Sequence, residues 1–364
     1  MTNPLTEIVR RFPQIGDVAE IRPLTSGLIN QTYRIHTASP AEDDYVLQRI
    51  NRHVFTDVDL LQHNIECVTR HIRRKLEERG VSDIERKVLR FLAADDGRTY
   101  CRDRDGECWR VSVYIRDSQT LDEVNGETAY LAGKNFGAFE AMLTDLTEPL
   151  GETIPHFHDM ELRIRQLGEA AQADRAGRMS EVAPLVDELM GEADEMCCAE
   201  RLHREGRLPK HICHCDTKVS NMLFDRDGQV LCVIDLDTVM PSFVFSDYGD
   251  FLRSAACSAA EDEPVTSRIG FRQDIFRAFT RGYLEEAGPF LTPLEVEMLP
   301  FAARLFPYMQ AVRFLTDYID GDRYYRISYP THNLVRARAQ HKLFRSAEQH
   351  EPLMREYIRS LNIK

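Results

Sequence analysis

The sequence has no run of about 18 consecutive uncharged apolar residues, the length that carries a helix across a bilayer. Its first residues, MTNPLTEIVRRFPQ, have no apolar segment after the leading charges. Neither a transmembrane helix nor a signal peptide is expected, and the cytoplasm is the expected location. There is no long basic run either. With 59 acidic and 46 basic residues the formal net charge is −13, which repels nucleic acid and anionic membrane alike, so neither is an expected partner. The nine cysteines are odd in number, scattered, and set in apolar contexts such as Cys67 and Cys232. That fits buried reduced thiols better than a disulfide framework. No internal repeat, low-complexity tract or Gly/Ser/Pro-rich linker is visible.

What is present is ordinary globular material: 364 residues, 43% hydrophobic and 29% charged, enough for two domains or lobes. The first third is strand-rich. Residues 19–24, 29–37 and 44–50 carry β-branched and aromatic side chains, separated by turn-like breaks at Ser26-Gly27 and from Pro40 to Asp44. A helix is predicted over 57–79, capped by Thr56 with Asp59 three residues on, and striped by Val58, Leu61, Ile65, Val68, Ile72 and Leu76. Strands are predicted at 87–93, 98–102 and 108–115, joined by Asp-Gly turns at Asp96-Gly97 and Asp105-Gly106.

From about 128 the pattern is helical, near 128–145, 160–176, 179–206, 246–259, 268–286, 293–318 and 332–347. Thr292-Pro293-Leu294-Glu295 starts one of these with a cap, a proline at the first helical position and a glutamate reaching back. A hairpin interrupts the helices: 221–224 and 229–234 flank Asp225-Arg226-Asp227-Gly228, and the apolar second arm runs into Asp235. The expected class is α+β and two-lobed, with a small β-rich lobe over 1–115 for nucleotide and a larger helical lobe over 116–364 for catalysis and acceptor.

The strongest chemical signal is His214-Cys215-Asp216-Thr217-Lys218-Val219-Ser220-Asn221, followed by Ile234-Asp235-Leu236-Asp237. H-x-D-x-x-x-x-N plus a later I-D is the order in which kinase-like phosphotransferases place a substrate-orienting acid and two metal ligands. A transferring phosphoryl group develops negative charge, so a Mg²⁺ ion held by the hard oxygens of Asn221 and Asp235 suits it, while Asp216 stands free for the hydroxyl proton. A bare D-x-x-x-x-N would read as turn caps, and Asp235 as the partner of some Arg or Lys. The ordered set, with its hairpin and the strands upstream, favours the catalytic reading.

The segment resembles the catalytic core of the aminoglycoside phosphotransferase and choline kinase superfamily. The run HCDTKVSNMLFDRDGQVLCVIDLDTVMPSFVFSDYGDFLR is similar to the N-acetylhexosamine 1-kinases within it. The likeness continues through Arg313-Phe314-Leu315-Thr316-Asp317-Tyr318 and Tyr329-Pro330-Thr331-His332-Asn333-Leu334-Val335-Arg336. It implies a protein-kinase-like fold, ATP as donor with Mg²⁺, and an amino sugar, N-acetylglucosamine or N-acetylgalactosamine, phosphorylated on its anomeric hydroxyl. Homoserine, choline, an aminoglycoside or another sugar are the alternative acceptors.

By the same resemblance, Thr25-Ser26-Gly27-Leu28-Ile29-Asn30 stands where the phosphate-covering loop lies, with Gly27 and amides near Asn30 as phosphate contacts. Gln48 occupies the third-strand position where kinases carry a lysine, which leaves the role of Glu66 open. Tyr114 and Ile115 fall at the adenine hinge. Arg313 and Tyr324 are the implied acceptor contacts; a helix-surface arginine and a core tyrosine are the plainer alternatives. His214, Lys218, Asp237 and Asp247 are expected to support the catalytic loop, with a second metal contact as the alternative for Asp237. Two other clusters tempt a metal reading. His211, Cys213, His214 and Cys215 lack the spacing of zinc ligand pairs, and Pro155-His156-Phe157-His158-Asp159 fits loop structure or acceptor binding.

Overall fold

The computed structural model describes residues 4–24 and 29–362. The chain forms two compact units that are discontinuous in sequence. The first is the chain up to Thr120 with Asp145–Pro155 and Met222–Met240; the second is Leu121–Thr144, His156–Asn221 and everything from Pro241 onward. The sequence suggests a single boundary between 115 and 116. Instead the chain returns to the first unit because the hairpin of Met222–Phe224 and Val230–Val233 buries Leu231 and Cys232 with Ile115 and Leu89. Paired backbone bonds between Gln119 and Phe224, 2.9 and 2.8 Å, fasten it there.

The first unit is an antiparallel sheet of β1 (Val18–Leu24), β2 (Gln31–Thr37), β3 (Tyr45–Arg49), β4 (Cys101–Arg102) and β5 (Cys108–Val113), in the order β1-β2-β3-β5-β4. Strand alternation sorts its two faces. Ile35, Tyr45, Leu47, Trp109 and Val111 form an apolar core with Ile8, Val9 and Phe12, the first two from helix α1 (Pro4–Val9). The opposite parity carries Thr32, Gln48 and Arg110, which lie across from one another in register. Helix α2 (Val58–Glu78) buries Leu61, Ile65, Val68 and Ile72 as the period-3.6 stripe requires. Its cap is Asp57 rather than Thr56, the carboxylate accepting from Leu60 N at 2.9 Å.

Residues 87–93 do not form the expected strand. The outer edge of β5 is shared: Cys101 and Arg102 pair with Trp109 and Cys108, so the upstream segment reaches β5 only by a single bridge, Phe91 to Ser112.

The second unit is helical: α3 (Gly126–Leu143), α4 (Met160–Ala173), α5 (Met179–Gly191), α6 (Ala193–Met196), α7 (Cys198–Arg204), α8 (Phe245–Ala255), α9 (Gln273–Ala287), α10 (Pro293–Ile319) and α11 (His332–Ser360). The single helix expected over 179–206 is three, broken first after Gly191, a poor helix former, where Glu192 N bonds back to Leu189 O. α11 runs on past 347 and through Pro352. α10 starts with the expected box: Thr292 Oγ1 accepts from Glu295 N at 3.2 Å, and Glu295 Oε2 accepts from Thr292 N at 2.8 Å. The chain is thus α+β, an antiparallel sheet followed by a larger helical part. Among the described residues no helix is long and apolar enough to cross a membrane.

Candidate active site

In the second unit, strand His211–Cys213 leads into the loop that carries Asp216, and a tight turn, Val219–Asn221, closes it. Asp247, at the start of α8 and fully buried, is what shapes the loop. Its two carboxylate oxygens accept from the amides of His214 and Cys215, both at 2.7 Å, and its carbonyl accepts from Thr217 Oγ1 at 2.6 Å. These bonds hold Cys215 at φ +64°, a left-handed conformation that a non-glycine residue keeps only when its surroundings impose it. His214 is buried edge-on against Phe136 and Phe139, and its Nδ1 accepts from Asp216 N at 3.3 Å. Both residues brace the loop.

Behind Asp247 stands Glu140 of α3, its carboxyl pushed well above the usual range by burial and by the charge of Asp247. It therefore keeps its proton, and Tyr283 Oη donates to its Oε2 at 2.5 Å. Cys213 brings its sulfur close to the two carboxyls. Asp247 has both carboxylate oxygens on amides, and Glu140 keeps its proton and takes Tyr283, so this cluster is read as a brace and not a metal centre.

Asp216 Oδ2 takes Lys218 Nζ at 3.0 Å and Asn221 Nδ2 at 3.0 Å; the same Nδ2 donates to Asp216 O at 2.8 Å. Burial pushes the Asp216 carboxyl up, but the charge of Lys218 and these two hydrogen bonds outweigh it, and the group lies below its ordinary value. Asp216 is a carboxylate at neutral pH. Because Asn221 spends its N–H groups on Asp216, its Oδ1 is the atom that would meet a cation.

In the first unit the hairpin delivers Asp235, exposed and at φ +61°, into the turn Leu236–Thr238. One amide oxygen and one carboxylate are the hard donors Mg²⁺ prefers, so Asn221 and Asp235 fit the ion by type. Asp237 is buried: Oδ2 accepts from Asn30 Nδ2 at 2.7 Å, the carbonyl accepts from Thr153 Oγ1 at 2.8 Å, and Oδ1 lies 2.6 Å from the Arg110 guanidinium. That last contact is a charge pair without a well-aligned hydrogen bond.

Arg110, 2% exposed, also donates Nε to Gln48 Oε1 at 3.0 Å and Nη1 to Gln62 Oε1 at 3.3 Å. Gln48 thus faces a cation on the neighbouring strand. Glu66 turns elsewhere and accepts from Thr99 Oγ1. Asn30 Oδ1 accepts from Asn51 N at 2.9 Å, and Gly27 lies outside the described residues. Tyr114 gives its amide to Asp44 O at 2.8 Å and carries the Arg34 guanidinium 3.8 Å over its ring, beside a cavity of about 590 Å³ that Asp44 and Gln119 also line. Ile115 is buried, its carbonyl accepting from Ser118 Oγ at 2.6 Å.

In the second unit, Arg313 lies 5.5 Å from the Phe157 ring, 5.7 Å from Tyr325 and 6.0 Å from Tyr324, which is 67% exposed. Beside it Arg163 donates to the carbonyls of His156 and Phe157 at 3.0 and 2.8 Å. Burial and the charge of Arg313 push Arg163 down to about 10. Among the described residues neither arginine forms an ion pair. The two histidines of the H-x-H pattern diverge. His156 pairs with Asp159 at 3.0 Å, and half-buried His158 bonds Ser246 Oγ at 3.0 Å, held neutral by desolvation and by Arg313, Arg163 and Arg253. His211 bonds Glu295 at 2.8 Å and Cys213 packs on the Phe243 carbonyl, which disposes of a zinc set there. Sequence reasoning missed Arg110 and Arg163. The signal for the first was an arginine inside an otherwise buried strand.

The model of the phosphotransferase enzyme family matches residues 20–288, the span that holds the sheet, the Asp216 loop and the Asp235 hairpin. The chain belongs to that family. This phosphotransferase also resembles solved structures over nearly its whole length. An aminoglycoside phosphotransferase from Alicyclobacillus acidocaldarius matches with a TM-score of 0.61 and 14% identity, over 98% of this chain and 96% of that one. A choline kinase from Cryptosporidium parvum gives 0.54 and 15%, over 98% of each chain. An amicoumacin kinase, solved in complex with AMP-PNP, Ca²⁺ and Ami, gives 0.56 and 12%, over 99% and 93%. At such identities the likeness establishes the fold, protein-kinase-like, and the family match establishes a small-molecule phosphotransferase.

Proposed function

We propose that this phosphotransferase moves the γ-phosphoryl group of ATP to the anomeric hydroxyl of an N-acetylhexosamine, giving the sugar 1-phosphate and ADP. Asp216 carries the reading. It is a loop carboxylate held ionised by Lys218 and Asn221 on a brace that fixes its backbone. It orients the C1 hydroxyl and takes its proton as the oxygen attacks phosphorus and ADP leaves. Asn221 and Asp235 hold Mg²⁺, which supplies charge neutralisation along the phosphates when bound. Gly27, Asn30, Gln48, Tyr114 and Ile115 serve the nucleotide; the Arg34–Tyr114 stack beside a cavity supports a base-binding role there. The cytoplasm, where ATP is abundant, is the proposed location.

Arg313 and Tyr324 contact the acceptor. The choice of a neutral sugar over choline or an aminoglycoside is supported by the two guanidinium groups of Arg163 and Arg313, unpaired with acids among the described residues. They repel a cationic acceptor and suit hydroxyl and acetamide oxygens. ADP release measured with N-acetylglucosamine, N-acetylgalactosamine, glucose, homoserine and choline tests the acceptor: the N-acetylated sugars should be turned over fastest, and a preference for choline or homoserine overturns it. Asp216→Asn should lower kcat by about 10²–10⁴-fold with little change in nucleotide affinity. Wild-type turnover in that variant refutes the role of Asp216.

A further inference from the structure

Kinases place a lysine on the third strand; here β3 offers Gln48, and the missing charge has moved one strand over. We infer that Arg110 of β5 is the positioning cation of the nucleotide and metal residues in the first unit, holding the Asp235–Asp237 turn and replacing the β3 lysine. This rests on the proposed MgATP reading.

Three observations carry it. First, Gln48 and Arg110 are direct register partners on the same sheet face, and Gln48 Oε1 accepts from Arg110 Nε at 3.0 Å. A lysine at 48 would set two cations against each other in a place with little water. A glutamine turns the same position into an acceptor, so the residue that looks like a loss is the complement of Arg110. Second, a guanidinium 2% exposed persists only if it is paired, and its charge partner is Asp237 at 2.6 Å, two residues after Asp235. Gln62 Oε1 takes another of its N–H groups, and the Phe91 ring lies 5.3 Å away. Third, Asp235 itself sits at φ +61°, ψ 52°, a conformation that neighbours must impose. The turn that follows it is pinned at Asp237: Arg110 and Asn30 on its carboxylate, Thr153 on its carbonyl. Asn30 in turn accepts from Asn51 N, just beyond β3. Arg110 thus ties β3, α2 and the metal-ligand turn to one planar cation, a geometry that the point charge of a lysine does not reproduce.

The test measures MgATP binding by calorimetry with no acceptor present, so the identity of the acceptor does not enter. Wild-type protein that binds no MgATP would refute the ATP reading itself, separately from the role of Arg110. Given wild-type binding, Arg110→Gln should weaken MgATP affinity at least tenfold and raise the Mg²⁺ concentration needed for binding. Gln48→Lys should also weaken it, by repulsion. Joining the two, so that the cation returns to β3 and the glutamine moves to β5, should recover part of the loss. Circular dichroism melts identify which variants are folded. If Arg110→Gln does not fold, Gln48→Lys and Arg110→Lys decide. A folded Arg110 variant with wild-type affinity and Mg²⁺ dependence overturns the inference, as does a Gln48→Lys variant that binds MgATP as well as or better than wild type.

Discussion

Glu200 shows how far burial can move a single charge in this protein. Its Oε1 accepts from Met160 N at 2.6 Å at the start of α4, and burial pushes its carboxyl up to about 7 from an ordinary 4.5. Between those two pH values the folded chain binds the proton that the unfolded chain releases. Stability therefore falls as pH rises through that window. Glu200→Gln removes the ionisation and keeps an acceptor oxygen. At pH 8 it should stabilise the fold by about 2 kcal/mol, discounted for the partial exposure of the group, and at about pH 4, below the ordinary carboxyl value, it should change almost nothing. Thermal melts at the two pH values check this; an equal effect at both means the carboxyl is not what titrates.

Legibility at the residue scale follows the same line between local and long-range causes. Asp216, Asn221 and Asp235 stood out because their chemistry is written in order and spacing. Arg110 and Arg163 did not, since an arginine becomes informative only once its partners are known: Asp237 lies far from Arg110 in sequence, and Arg163 bonds nearby backbone carbonyls, which leave no mark in residue type. Asp247 was expected to support the loop, but the protonated Glu140 behind it depends on burial, which no spacing reveals.

Among elements, α3 and α9 approach until their backbones nearly touch. A Cβ added at Gly282 would lie 2.1 Å from Tyr130 O and 2.8 Å from Lys134 N; one at Gly133 would lie 2.1 Å from Phe279 O. Backbone cannot swing aside as a side chain can. Gly282→Ala gains about 1 kcal/mol of helix propensity, yet the two helices must move apart, an overpacking cost of about 1–3 kcal/mol or more. The net expectation is a lower Tm. Gly168→Ala in α4, where the new methyl meets nothing within 4 Å, should instead raise stability by about 0.5–1 kcal/mol. If both variants melt higher than wild type, the seam is looser than described. The elements themselves were readable where one period dominates, as in the α2 stripe and the β1 to β3 alternation. They were misread where partners compete: 87–93 has strand composition, but with Cys101 and Arg102 on Trp109 and Cys108 only Arg90–Leu92 meets β5, through Leu92 N to Val111 O and Val113 N to Arg90 O.

At the scale of the whole chain, the return of Asp145–Pro155 and Met222–Met240 to the first unit was not legible, because it turns on Leu231 and Cys232 finding Ile115. The thiols were legible. All nine cysteines are free, and none is exposed. Burial pushes Cys101 and Cys198 up to about 11, Cys197 and Cys232 up to about 12, and Cys213 and Cys215 well above the usual thiol range. The thiolate is the reactive form, so at pH 8 these groups should alkylate about 10²-fold or more slowly than a free cysteine. Mass spectrometry after brief iodoacetamide treatment should find the native protein largely unmodified, and all nine sites modified in denaturant. A reductant should leave Tm unchanged. Rapid labelling of several sites in the native state would mean that the helical unit opens readily enough to expose Cys197, Cys198, Cys213 and Cys215. The loop that carries Asp216 would then lack the rigid support on which its chemistry depends.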